Sequence, residues 1–500
     1  MSAAADLVLE QLRAAGVVAR GITADSRRIA PGDVFAAWPG HATDGRRFLP
    51  AAIAAGAAAV LWESGDGFHA ESAPVPSIPV AGLRELAGHL AHAIHGRPSE
   101  ALWLAGVTGT NGKTTVSQWL ARALGELGCR CGIVGTLGNG FPDQLVAGLN
   151  TTPDALELHR TLAGFVADGA QATAMEVSSI GLDQGRVNGA CFDLAIFTNL
   201  SRDHLDYHGT MEAYAAAKAR LFALPGLRHA VLNLDDAYGL SLARRLADQG
   251  MTVIGYTRVA SNAAALRGGR VLIGDRLQAS PAGLRFTALW GEAHAELEVR
   301  MVAPFNVSNL LAVMAALLAR GVPFDEATHV AARLTPPEGR MQLVGGVGEP
   351  LVVIDYAHTP DALAKVLEAV RTTATGRGGR LVCVFGCGGD RDPGKRPLMG
   401  EVARQLADRV VITSDNPRSE DPLKIIDAVA AGAGTAAERV VDRAQAIAIA
   451  IGEAAADDVV VLAGKGHEPY QEVLGQRLPF SDLEQARLAL QAWNRKEMKR

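Results

Sequence analysis

The sequence predicts an α/β protein organised in three regions around mostly parallel sheets. Three observations predict it. The chain has 500 residues. Short apolar runs alternate with amphipathic helical stretches. Polar segments, several rich in glycine, directly follow those apolar runs. A chain this long exceeds one compact core and implies roughly two to four domains. Strands alternating with helices imply parallel pairing, because parallel strands need a crossover and a helix supplies it.

Composition sets the outer bounds. Hydrophobic residues make up 48% and charged residues 20%, the balance of a soluble globular protein. A formal net charge of −5 argues against general affinity for nucleic-acid backbones. Cys129, Cys131, Cys191, Cys383 and Cys387 form an odd, sparse set, read as reduced thiols in a cytosolic protein. Cys129 and Cys131 lack a second pair at zinc spacing and read as small apolar residues near a strand start. The N-terminal segment MSAAADLVLE carries acids where a signal peptide carries bases. The longest apolar run, Ala51 to Trp62, is too short and too rich in Ala and Gly to span a bilayer. A cytoplasmic protein with no membrane span is expected.

The first region, residues 1–98, holds Asp25-Ser26-Arg27, a stretch punctuated by Pro and Gly, and an Ala-rich helical segment. Turn chemistry at His95-Gly96-Arg97-Pro98 closes it. The second, residues 99–337, opens with a buried strand over Leu102 to Val107. A glycine-rich loop follows, and then Val116, Trp119, Leu120, Ala123, Leu124 and Leu127 share one helical face. Further strands are expected at Ala172 to Met175, Leu194 to Phe197 and Ala230 to Leu234, and the helical pattern stops at Leu334-Thr335-Pro336-Pro337. The third region, residues 338–500, predicts strands at Leu351 to Ile354, Leu381 to Phe385, Val410 to Ile412 and Val459 to Leu462. A helix starts at Thr359-Pro360, with proline at its first position, and Leu363, Val366, Leu367 and Val370 form its apolar face.

The polar segments carry the chemistry. In the middle region they are Gly109 to Thr115, Glu176-Val177-Ser178-Ser179 and Asn199 to His204. In the last they are Asp355 to His358, Gly386 to Arg391, Asp415 to Arg418 and Gly464 to Glu468. Open α/β sheets bind ligands outside the carboxyl ends of their strands. Each region should therefore gather its polar segments along one edge, and two edges facing across a cleft is the simplest arrangement.

Gly109-Thr110-Asn111-Gly112-Lys113-Thr114-Thr115 is the strongest local feature. Small residues let backbone N–H groups approach an anion, Lys113 can reach the β- and γ-phosphates, and Thr114 can ligate Mg²⁺. Val107 stands where the standard phosphate loop has its first glycine. Glu176 adds a hard oxygen ligand on the same edge. His204 and His208 are spaced for zinc, yet Leu205 replaces the glutamate of such a motif, and zinc is rejected there.

The variant loop from Thr108 to Thr115 closely resembles that of the Mur ligase superfamily, which includes folylpolyglutamate synthetases. The resemblance extends to Asp25-Ser26-Arg27, Asn150-Thr151-Thr152-Pro153, Met175 to Ser179, Thr198 to His208, Phe305 to Asn309, Gly339-Arg340-Met341 and the C-terminal motifs, and so covers essentially the whole chain. It implies three domains: a small N-terminal α/β domain that binds UDP, a central P-loop-type domain with a mostly parallel sheet, and a C-terminal Rossmann-like domain for the incoming amino acid. It also implies ATP and Mg²⁺, an acyl-phosphate route, and a monomer acting on small molecules.

By the same resemblance His204 joins Thr114 and Glu176 at the metal. Lys218 becomes a carbamylated, anionic metal ligand, which requires a neutral amine and hence desolvation or nearby cations. Ala24, Ser26, His41, Ala42 and Thr43 fall to the UDP-sugar site. Asn150, Thr151, Thr152, Ser178, Gln184 and Arg186 fall to a UDP-N-acetylmuramoyl dipeptide. Asn306, Arg340, Asp355 and His358 surround the nucleotide, although Asn306 also reads as a helix N-cap. Asp415-Asn416-Pro417-Arg418 is the form that accompanies meso-diaminopimelate, with Arg391, Gly464 and Glu468 completing the pocket. The physics agrees, since a guanidinium fork binds a second carboxylate bidentately and lysine has none. The competing readings are a lysine-adding homologue, a folylpolyglutamate synthetase, a P-loop nucleotide switch and an inactive binding protein.

Overall fold

The computed structural model describes residues 2–40, 43–65, 67–70, 73–266, 269–280 and 283–497. The chain divides into two compact units. One comprises Met1–Thr257, Ser261–Val271 and Ala312–Val322, the other Arg258–Ala260, Leu272–Leu311 and Pro323–Arg500.

In the first unit, β1 (Gly21–Thr23), β2 (Asp33–Ala37), β3 (Ala59–Glu63) and β4 (Ser77–Val80) form a parallel sheet in chain order. Val34, Ala36, Ala59 and Leu61 on this sheet pack against Leu83, Leu86, Ala87 and Leu90 of the helix Leu83–Ile94. A second sheet follows, made of β5 (Trp103–Thr108), β6 (Cys131–Gly135), β7 (Gly138–Phe141), β8 (Gln144–Val146), β9 (Ala172–Glu176), β10 (Leu194–Phe197), β11 (His229–Asn233) and β12 (Thr252–Thr257). Its order is β12-β11-β10-β5-β9-β6-β7-β8. Strands β12 to β6 in that order are parallel, so β5, β9 and β10 all end on the same edge. The helix Lys113–Glu126 buries Val116, Trp119, Leu120, Ala123 and Leu124, as its spacing predicts.

The strands β13 (Arg270–Ser280), which from Leu272 onward belongs to the second unit, β14 (Gly283–Trp290) and β15 (Ala293–Val299) form an antiparallel meander. These three strands are additional to those expected from the sequence. The strands β16 (Gln342–Gly345), β17 (Leu351–Asp355), β18 (Leu381–Phe385), β19 (Arg409–Ile412), β20 (Glu438–Arg439) and β21 (Val459–Ala463) form a sheet in the order β16-β17-β21-β18-β19-β20. Only the edge strand β16 is antiparallel. Thr359 caps the helix Pro360–Arg377, whose Leu363, Val366, Leu367 and Val370 are buried. A hairpin, β22 (Tyr470–Val473) and β23 (Gln476–Pro479), follows the last strand of that sheet. Among the described residues, no helix is long and apolar enough to cross a membrane.

Candidate active site

In the first unit, β5 delivers the chain into Gly109 at φ +147°, a conformation that strains any residue with a Cβ. Space forbids one as well: a Cβ there would lie 1.9 Å from Thr198 Oγ1. The loop is zipped to the segment after β10. Thr110 N–H donates to the Asn199 carbonyl at 2.8 Å, and Asn111 N–H donates to Asn199 Oδ1 at 3.1 Å. Lys113 Nζ donates to the Gly109 and Thr110 carbonyls, both at 2.9 Å. The N-terminus of the helix Lys113–Glu126 adds partial positive charge at the same place. Gly109→Ala should displace this loop by about an ångström and lower ATP turnover by roughly 10²-fold. A steady-state ADP-release assay measures it, and an unchanged rate would contradict the close-approach argument.

Glu176 ends β9 and is 1% exposed. Its carboxylate accepts from the Thr114 hydroxyl at 2.9 Å, the Thr136 N–H at 2.8 Å and the Thr136 hydroxyl at 3.1 Å. A buried charge persists only with such compensation. Lys218, on the helix Met211–Ala219, is 1% exposed. Its Nζ donates to the Gly109 carbonyl at 2.8 Å and lies 4.2 Å from the centre of the Tyr214 ring. Burial, reinforced by the Lys113 charge and opposed by Asp203, pushes its pKa down to about 6. The neutral amine that the sequence reading requires is therefore the favoured form near neutral pH. His204 adopts φ +51°, faces Asp203 at 3.5 Å and sits edge-on to Tyr214, with ring centres 6.1 Å apart.

A polar chain continues from Glu176. The Thr152 hydroxyl donates to the Glu176 carbonyl at 3.0 Å, and the Ser178 N–H donates to the same hydroxyl at 3.0 Å. Arg186 Nη1 donates to the Thr152 carbonyl at 2.8 Å, while its Nε donates to Gln184 Oε1 at 3.0 Å. Thr151 Oγ1 lies 3.0 Å from Thr136 Oγ1, and Asn150 is exposed on the same loop. Pro153 leads into the next helix. Asp154 caps it, and the helix runs Ala155–Ala167.

In the second unit, Asp355 ends β17 and is buried. It accepts from the N–H groups of Met341 and Ala357, both at 2.9 Å, and burial raises its pKa. Arg340 Cζ lies 5.0 Å over the Tyr356 ring, and its buried Nε has no hydrogen-bond partner among the described residues. His358 is exposed, with Nδ1 at 2.8 Å from the Tyr356 carbonyl. Asn306 is not an N-cap. The helix starts at Pro304, and Asn306 Nδ2 turns back to the Val302 carbonyl at 3.0 Å.

The loop after β19 is tied to the segment after β21 by Lys465, which is fully buried. Its ammonium donates to Asn416 Oδ1 at 3.0 Å and Glu468 Oε2 at 3.1 Å, and reaches Asp415 Oδ1 at 3.5 Å. Asn416 Nδ2 also donates to Glu468 Oε2 at 2.8 Å. Burial raises the Asp415 pKa against the pull of Lys465 and Arg443. Arg418 is held at φ +51°, a conformation that costs roughly 1–2 kcal/mol for a residue with a Cβ. Backbone bonds to Glu472 at 2.9 Å and from Leu474 at 2.7 Å enforce it. Its Nη1 donates to the Gly389 carbonyl at 2.7 Å, and its Nε lies 3.4 Å from Glu472 Oε2. Arg391 and Arg418 both come within 4 Å of the Cβ position that Gly388 leaves vacant. Gly464, at φ +109°, leaves room beside Asp415.

Three stretches match described families. Residues 18–95 match the Mur ligase family catalytic domain, 107–317 the Mur ligase middle domain, and 339–466 the Mur ligase glutamate ligase domain. A UDP-N-acetylmuramoyl-L-alanyl-D-glutamate–2,6-diaminopimelate ligase of Ectopseudomonas mendocina is 53% identical over 482 residues, 96% of each chain. The chain is a Mur ligase. Another relative of the same description, from Chromobacterium violaceum, is 49% identical, covering 98% of this chain and 97% of its own. A solved 2,6-diaminopimelate ligase structure of that description has TM-score 0.72 and 37% identity, covering 95% of each chain. MurF from Thermotoga maritima in complex with ADP, at 17% identity and TM-score 0.62 over 96% of this chain and 99% of its own, shares the fold.

The Mur ligase brings its phosphate loop, Glu176, Lys218, His204 and the Thr152–Arg186 chain into one network. Asp415, Asn416, Glu468 and Gly464 form another. Ser26 starts a short 3-10 helix after β1, capped by Asp25, and Ala24 and Thr43 are exposed. No bond joins these three to either network among the described residues. His41 and Ala42 lie outside the described residues. Sequence reasoning missed Thr136 and Tyr214 and placed Asn199 and Lys465 in polar segments without giving either a role, and each of the four orients a residue that it did find. Lys465 alone carried a usable sign, the glycines on both sides of it in a segment directly after a strand.

Proposed function

We propose that this Mur ligase is an ATP-dependent, ADP-forming amide ligase of peptidoglycan precursor synthesis. It adds meso-2,6-diaminopimelate to the D-Glu of UDP-N-acetylmuramoyl-L-alanyl-D-glutamate, the activity named in its relatives. The observation that carries the choice of amino acid is the convergence of Arg391 and Arg418 on Gly388, close to buried Asp415 and half-buried Glu468. Diaminopimelate presents two carboxylates and two ammoniums, and this loop cluster offers the Arg418 guanidinium, the stem of exposed Arg391 beside it, and two acids.

In the reaction, the D-Glu γ-carboxylate attacks the γ-phosphorus of ATP, releasing ADP and leaving an acyl phosphate. The amine of diaminopimelate then attacks the acyl carbon and phosphate departs, giving an amide, ADP, phosphate and a proton. The Gly109–Thr115 loop and Lys113 hold the triphosphate by backbone N–H groups and one cation. Thr152, Ser178, Gln184 and Arg186 hold the acceptor, with Asn150 and Thr151 beside them. Ala24, Ser26 and Thr43 serve the UDP end, and Asn306, Arg340, Asp355 and His358 the nucleotide. The partnerless buried Nε of Arg340 supports that last assignment.

The hydroxyl of Thr114 against the carboxylate of Glu176 is a hard-oxygen pair that fits Mg²⁺, and by the family resemblance His204 and Lys218, as a carbamate, would join them. The ion would screen the charges of the two reacting anions. Three domains at residues 1–98, 99–337 and 338–500, a monomer and a cytoplasmic location complete the reading. In a test, purified protein should release ADP only when both the UDP-linked dipeptide and a diamino acid are present, with diaminopimelate far ahead of lysine. ADP release with ATP alone, at the same rate, would overturn the reading in favour of a nucleotide switch.

A further inference from the structure

His92, Glu100 and Cys191 lie outside the machinery described above and meet within the first unit. His92 is on the helix Leu83–Ile94, which packs on the N-terminal sheet, while Cys191 shortly precedes β10 of the second sheet. One ligand atom from each, an imidazole nitrogen, a carboxylate oxygen and a thiol sulfur, lies within 4.8 Å of the other two. His92 Nε2 is 3.3 Å from Glu100 Oε1, and Nδ1 faces Ser99 Oγ at 3.5 Å. Ser99, 2% exposed, also accepts the Cys191 N–H at 3.0 Å. One buried hydroxyl thus touches both the His92 ring and the Cys191 backbone. A hydrogen bond at the far imidazole nitrogen is how metal-binding histidines are usually aimed.

We propose that His92, Glu100 and Cys191 form a zinc site that pins the N-terminal sheet's helix to the second sheet. Nitrogen, oxygen and thiolate sulfur are the ligand types zinc takes, with three protein ligands leaving a fourth position for water. Donors around a tetrahedral zinc stand about 3.3–3.8 Å apart, so the present set must contract by roughly an ångström. The half-exposed Glu100 side chain has the freedom to do this. Its present partner Arg97, at 3.4 Å, is a surface pair of little strength. Zinc binding displaces the Cys191 thiol proton to solvent, so zinc dication plus thiol gives a zinc thiolate and a proton. The surroundings are rich in imidazole: the His159 ring centre is 5.0 Å from that of His92. Among the described residues, His89 Nε2, His95 Nε2 and His159 Nδ1 are buried without a partner.

The test is zinc titration of chelator-stripped full-length protein against a chromogenic competitor, comparing wild type with Cys191→Ser, His92→Gln and the control Cys129→Ser. Wild type and Cys129→Ser should bind one zinc, and each site variant should bind at least about tenfold more weakly. Cobalt should give a near-ultraviolet sulfur-to-metal band that Cys191→Ser alone abolishes, a readout that survives any loss of stability in His92→Gln. Equal zinc affinity in wild type and Cys191→Ser, a cobalt band that persists in that variant, or no zinc retained against the competitor would each overturn the proposal.

Discussion

Arg418→Ala raises the KM for diaminopimelate by roughly 30- to 700-fold, the equivalent of about 2–4 kcal/mol, when the charge-assisted bonds of a guanidinium fork are lost. Preference over lysine collapses with it, because lysine lacks the second carboxylate that the fork is proposed to hold. The backbone complicates this variant, since Arg418 sits at φ +51°. Arg418→Gly separates the two effects. Glycine relieves the strain yet still lacks the guanidinium, so it should lose diaminopimelate as alanine does. Arg418→Lys should recover little, because a point charge on a flexible stem does not replace a planar fork. Steady-state kinetics at saturating ATP and acceptor read all three, and an unchanged KM in Arg418→Gly would remove Arg418 from the pocket.

Lys218→Met abolishes most activity while stabilising the fold in carbon-dioxide-free buffer near neutral pH. The Lys218 pKa is pushed to about 6, against an ordinary 10.5. Between those values the unfolded chain binds a proton that the folded chain does not, so wild-type stability rises with pH across that window. Methionine carries no such proton. The variant's Tm should therefore exceed the wild type's most at and below about pH 6, and the gap should close toward about pH 10. Its kcat should fall by at least roughly 10²-fold, the scale of losing one charge-stabilising group. Short carboxylates such as acetate should partly restore Lys218→Ala by standing in for a carbamate. Full activity of Lys218→Met would show that the buried amine plays no part.

Much of this was legible because the chemistry sits at strand ends. Apolar runs such as Leu194 to Phe197 and Leu381 to Phe385 emerge as strands with those limits, and each polar segment after them lands on a carboxyl edge. What stayed hidden has physical causes. β6, Cys131–Gly135, begins where Cys129 and Cys131 place a strand start, but two glycines among its five residues break the apolar run that would mark its extent. Yet Gly132 is small because the Phe165 ring occupies the space a Cβ would need, 2.5 Å away. The β14 and β15 segments of the meander carry the period-two alternation of half-buried strands, and only the lack of a nearby polar motif leaves them unmarked. Thr136 and Asn199 act by holding Glu176 and the phosphate loop from elements distant in sequence. Their roles exist only after the sheet has formed. Lys465 is marked in the sequence only by its flanking glycines, and its role shows once its fully buried ammonium is seen among Asp415, Asn416 and Glu468.

The central claim is that an acid is activated as an acyl phosphate before the amine arrives. Labelling the D-Glu γ-carboxylate of the UDP-linked dipeptide with oxygen-18 tests it directly. One label should appear in the released phosphate for each amide formed, because the carboxylate oxygen that attacks ATP leaves with the phosphoryl group. Phosphate free of label, at full amide yield, would contradict the account.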